Sequence, residues 1–159
     1  MGMGSDGSAN HAMEDSRVAA GIGFQAAHCA HHGAPITAAL VGAMLPLMAG
    51  PTAVGARIRE WPGLPLEDAM PLRFTAGLHH LWLTGAEPRL GPVYAGELTD
   101  QAAVDAAVAA IVADHDAALL PWFDGPPQTN EAGRSASFMA GLLWLAERLG
   151  PRFALNELG

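Results

Sequence analysis

Lysine is absent from this 159-residue chain, and cysteine occurs once, as Cys29. All eight positive residues are therefore arginines, set against sixteen carboxylates for a net charge of −8. Eight scattered arginines cannot assemble a basic patch against that excess, so nucleic-acid binding is disfavoured. One cysteine excludes an internal disulfide framework and any multi-cysteine zinc or iron–sulfur site. No Walker loop and no complete Gly-X-Gly-X-X-Gly occurs, and neither Ser135 nor Ser137 sits in a Gly-X-Ser-X-Gly elbow. Cys29 has no obvious cationic activator nearby in sequence. An intact hydrolase or nucleotide enzyme is thus disfavoured. Charged residues make up only 15% and hydrophobic ones 50%, which provides a packed core and argues against general disorder.

The first residues, Met1 to Met13, are Gly/Ser-rich and lack the basic-then-apolar order of a signal peptide, so 1–13 is expected as a disordered lead-in. The composition reads as a soluble, cytoplasmic, mostly helical chain. No charged residue lies between Arg17 and Arg57, and 34–50 is nearly apolar. Pro35 and Pro46 interrupt that stretch, and much of its apolar count is Ala and Gly. A spanning helix wants about 20 strongly apolar residues without such breaks. No membrane partner is expected, and a buried helix is preferred.

Helix signals dominate the rest. The pattern predicts helices over about Glu14–His32, stopped by Gly33, and from Pro35 to Gly50–Pro51, with Pro35 in a first turn that needs no amide hydrogen. A short helix follows at Thr52–Glu60, and residues 61–65 are expected to be irregular. A helix apolar nearly all round is predicted at Pro71–Thr84, stopped by Gly85, then a Pro/Gly-rich link at 86–96. Thr99 or Asp100 should cap a long helix to about Leu120, with Val104, Val108, Ile111, Val112 and Leu119 as its stripe. Residues 121–127 should end it abruptly. A last helix is expected at Asn130–Leu149, and 152–159 alternates as a single strand, which needs partners that nothing upstream supplies.

The segment Pro127–Glu131 with Arg134, together with Leu155–Gly159, Phe24–Cys29 and the Pro71–His79 run, resembles the uncharacterised bacterial family known as domain of unknown function 2332. The resemblance covers about Arg17 to the C-terminus. In that family the Glu-Leu-Gly strand leads into a small-residue loop and a Rossmann-like half, similar to S-adenosylmethionine-dependent methyltransferases. The resemblance implies a truncated protein. Residues 14–150 would form a helical domain and 151–159 the first strand of a cut Rossmann-like sheet. The expected fold class is mainly α, a bundle of about six to seven helices with that one strand. No cofactor site is complete in this chain; S-adenosylmethionine is implied only for a full-length protein.

Several residues are candidates for a site. At 100° per residue, Glu131 and Arg134 share a face with Phe138, Leu142, Leu145 and Leu149, continuing an apolar stripe at its N-terminal end. The tight turn at Gly150–Pro151 would bring that end beside the end of the strand, where α/β sheets bind ligands and helix amides favour anions. Gln128, Thr129, Asn130, Glu131 and Arg134 would then line a small-molecule site next to Glu157 and Gly159. Equally open is a plain structural account: Thr129 or Asn130 as N-cap, Glu131 complementing the dipole, Glu131–Arg134 as an i,i+3 pair.

Arg73 and His79 are secondary candidates. Arg73 should share a polar sliver with His80, and His79 is expected as a hydrogen-bonded core histidine. His115, between Asp114 and Asp116, reads as structural. His28, His31 and His32 share one helical face at i, i+3, i+4, compatible with imidazole ligation, but no acidic residue lies nearby. They are expected as surface histidines, with no metal. Two functions remain: a helical cap forming one wall of a methyltransferase-like cleft, inactive alone, with the missing Rossmann-like domain as partner; or a stand-alone helical module forming a homodimer or other homo-oligomer.

Overall fold

Val18, Ile22 and Cys29 recur at i, i+4 and i+11, one face of a helix, and all three are buried. They belong to α1, Asp6–His31, in a computed structural model that describes residues 6–124. The helix therefore begins well before Glu14, and residues 6–13, expected as lead-in, continue it. Once a packed segment has nucleated, each further residue gains a hydrogen bond without a new nucleus. Gly33, at φ +78°, ends the helix. Its amide donates to the Ala30 carbonyl, while the Ala34 amide donates to that of Cys29 at 2.9 Å.

The helix expected over 35–50 is broken in two, α2 (Pro35–Gly42) and α3 (Met44–Leu47). Pro46 has no amide to donate to the Gly42 carbonyl, which ends the α2 ladder there. Leu40, Val41, Met44 and Leu47 are buried, so the apolar run at 34–50 is core. Among the described residues no helix is long and apolar enough to cross a membrane.

Helix α4 (Ala53–Arg59) matches its expected bounds, with the Thr52 hydroxyl accepting from the Gly55 amide at 3.0 Å. A Cβ on Gly55 would overlap the Leu47 carbonyl, so glycine here sets how closely α4 approaches α3. After the irregular 61–65 comes α5 (Met70–Leu83), buried along most of its length as its all-round apolar sequence requires. The Pro/Gly-rich link at 86–96 holds a 3-10 turn, Pro88–Leu90, and a short α6, Gly91–Tyr94. Its prolines act as initiators, since Pro88 and Pro92 each stand in a first turn that needs no amide donor.

Asp100 caps α7 (Gln101–Leu119), accepting from the Ala102 amide. The predicted stripe of Val104, Val108, Ile111, Val112 and Leu119 is buried. Helix α7 packs against α2, α3, α4 and α5, and its end tightens into a 3-10 turn at Leu120–Phe123. Most of the buried apolar side chains from Val18 to Phe123 form one cluster, with Ala76, Trp122 and Leu72 as a satellite. The described residues are helical, without strands. The expected helix at 130–149 and strand at 152–159 lie outside them.

Candidate functional site

Three polar arrangements are built on this frame. The first surrounds the start of α5. Ala69, just before the helix, is held at φ +53°, a left-handed conformation that costs about 1 kcal/mol in a non-glycine residue. Its neighbours fix it there. Trp61 donates its indole N–H to Asp68 Oδ2 at 2.9 Å, and Arg73 donates Nε–H to the Asp68 carbonyl at 2.8 Å. Arg73 also donates from Nη1 to the Phe123 carbonyl at 3.1 Å, tying α5 to the turn that follows α7. Burial lowers the Arg73 pKa, and nearby Asp68 and Asp124 oppose that shift. Next to it, Arg57 pairs with Asp124 at 2.6 Å and lies over the Trp61 ring. The chain thus leaves this bracket at Asp124, anchored by a buried and a surface arginine.

Arg73 and His80, expected on one polar sliver, stand two turns apart on α5. Arg73 is buried, whereas His80 is half-exposed on the other end of α5. His79 is also half-buried, with its ring edge-on to Tyr94 at 5.4 Å. Tyr94 in turn stacks on Trp82 at 5.8 Å.

The second arrangement is an open cavity of about 370 Å³ between α5 and the end of α7. His80, Leu81, Thr84, Ala118, Pro121 and Trp122 line it, and the His80 and Trp122 rings meet at 5.2 Å. The Thr84 hydroxyl donates back to the His80 carbonyl at 2.8 Å, leaving its oxygen lone pairs for a guest. That volume is at the lower end for small-molecule sites, and the wall is open and about half polar, with Trp122 as its main apolar surface. Gln128 is four residues beyond Asp124, so at most about 14 Å of extended chain separates the two.

The third centres on Glu87, which is almost fully buried. Its carboxylate accepts from the Arg89 amide, from Arg89 Nε at 2.8 Å and from Arg89 Nη2 at 2.7 Å. His115 Nε2 lies 3.0 Å from the other side of Oε2. The Arg89 side-chain bonds above all, then the Arg89 amide and His115, hold the Glu87 carboxyl down at about 2 despite its burial. Arg89 reaches on to Asp114 at 2.7 Å. Asp116 meanwhile accepts from the Ala53 and Val54 amides, both at 2.7 Å, at the start of α4.

Asp114, His115 and Asp116 thus serve three different partners. His115 is held by Glu87 and not by either sequence neighbour, because adjacent residues on a helix point apart. The helix is distorted at His115, where φ is −120° and ψ 20°. Glu87 was hidden by the Pro/Gly-rich setting; the available signal was an acidic residue just before Pro88, the pattern of an acidic N-cap ahead of proline.

Of the sequence candidates, Gln128, Thr129, Asn130, Glu131, Arg134, Glu157 and Gly159 lie outside the described residues. His28, His31 and His32 are exposed, as expected of surface histidines. Gln25 donates to the buried Cys29 sulfur at 3.4 Å. Among the described residues no group of three or more His, Cys, Asp or Glu could hold a metal ion.

By its architecture the described region is an all-α domain whose buried arginine and glutamate bracket its elements. The chain belongs to the bacterial family described as "Uncharacterized protein conserved in bacteria (DUF2332)", which it matches over residues 19–159. No curated protein and no solved structure matches it.

Proposed function

We propose that this helical domain is the cap of a methyltransferase-like protein, forming one wall of a small-molecule cleft and having no turnover alone. The observation that supports the reading is the cavity beside Trp122 and His80. Its wall residue Trp122 directly precedes Phe123 and Asp124, where Arg73 and Arg57 anchor the chain, four residues before Gln128. In this reading the cavity supplies the aromatic wall, and Gln128, Thr129, Asn130, Glu131 and Arg134 supply polar groups. Arg134 binds an anionic part of the guest, and Glu131 orients it; Glu157 and Gly159 lie on the cofactor side.

Calorimetric titration with S-adenosylmethionine tests this, comparing this chain with any longer product of the same reading frame. Binding by the longer product, weakened by Arg134→Ala and by Trp122→Ala, is the expected result. Absence of binding by either product removes the methyltransferase reading. A homodimer of helical modules then becomes the better account, to be checked by sedimentation.

A further inference from the structure

Toward the end of α1 three aromatic rings stand in a column one turn apart: Phe24, His28 and His32. His28 and His32 are both exposed, and their ring centres are 4.3 Å apart at an interplanar angle of 54°. The His32 amide donates to the His28 carbonyl at 3.1 Å, so the helical turn that sets this spacing runs past the end of α1. Two imidazoles bound to one late first-row transition ion, each through a nitrogen about 2.1 Å away, place their ring centres roughly 4.5–5.3 Å apart. The observed spacing of 4.3 Å falls just short of that range. A small opening of the two side-chain torsions makes up the difference.

We propose that His28 and His32 form a two-imidazole site for a divalent transition cation of the nickel, copper or zinc type. Nitrogen ligands suit these ions, and the i,i+4 pair prepays much of the ordering that a chelate needs. Phe24 lies parallel to the His28 ring at 6.3 Å and limits where that ring can swing. No charged residue occurs between Arg17 and Arg57 in the sequence, so no neighbouring cation on α1 repels the ion. The chain's net charge of −8 favours its approach. The protein supplies two ligands and water fills the remaining positions. His31 is the rival partner for His32, its ring edge-on at 84° with centres 5.2 Å apart, and His31→Ala decides between the two pairs; no three-residue metal group exists among the described residues.

The test is titration of the untagged full chain with nickel chloride, followed by calorimetry and by paramagnetic broadening of the histidine ring resonances. One saturable ion is expected, with broadening concentrated on His28 and His32. His28→Ala and His32→Ala should each weaken binding by about tenfold or more, while His31→Ala should change it by less than about threefold. Bound nickel should also raise the Tm of the wild-type chain, because it bridges a folded helical turn, and this rise should vanish in His28→Ala. All three positions compared are on the surface, so circular dichroism should show each variant folded. The proposal is overturned by no saturable binding to the wild type, by unchanged affinity in His28→Ala and His32→Ala, or by an equal loss in His31→Ala.

Discussion

Glu87 shows how one buried charge can hold two parts of a helical domain together. It accepts from the Arg89 backbone and side chain, faces His115 on α7, and sits at the start of the 3-10 turn. Glu87→Gln keeps the shape but removes the charge that Arg89 and His115 answer, and should destabilise the fold by about 2–3 kcal/mol. The pH dependence has a definite sign. The carboxyl lies at about 2 in the folded chain against an ordinary 4.5. Its contribution is therefore complete above about pH 4.5 and is lost as pH falls toward 2. Urea melts from pH 7 to pH 2 should show that decline in the wild type and a shallower one in Glu87→Gln. Equal slopes would mean that the carboxylate is not stabilised by folding.

Among the elements, the contact of α3 with α4 is limited by a single missing methyl group. Gly55→Ala drives a Cβ into the Leu47 carbonyl, a backbone atom that cannot step aside, and should cost about 2 kcal/mol or more. Gly23, exposed within α1 with nothing near its missing Cβ, makes the contrasting case. Gly23→Ala should stabilise by about 0.5–1 kcal/mol, since alanine restricts the unfolded chain and suits a helix. Thermal melts of the two variants should therefore move in opposite directions. A shared sign would refute the close-approach account. Most elements were legible from local signals: Asp100 as one of two cap candidates, Gly33 and Gly85 as stops, the stripe on α7. The division at Ala43 was less so, because Pro35 and Pro46 carry the same letter but opposite roles. One stands in a first turn, the other inside a ladder that needs its amide.

For the whole molecule, the bracket at Arg73 matters most. A buried guanidinium joins the start of α5 to the Phe123 carbonyl, fifty residues on, beside the Phe123 ring that meets both Phe74 and Trp61. Arg73→Met removes the donors of two buried carbonyls and should lower global stability by about 3 kcal/mol. Chemical denaturation followed by tryptophan fluorescence checks this, since Trp61 and Trp122 are buried in the same region. A loss under about 0.5 kcal/mol would show that water replaces the bracket without cost.

Composition and periodicity alone determined that this chain is mainly helical, where most helices begin and end, and which stripe of α7 is buried. Those properties depend on residues within a turn or two of one another, and the pattern records them directly. The motif resemblance likewise identified the family without a structure. Only the tertiary structure decided what the polar residues do. Arg73 became a bracket, Glu87 the partner of His115, and Asp116 the cap of a helix more than fifty residues away. Each role pairs groups far apart in the chain, and a buried charge takes whatever partner the packing of apolar surfaces brings within about 3 Å of it.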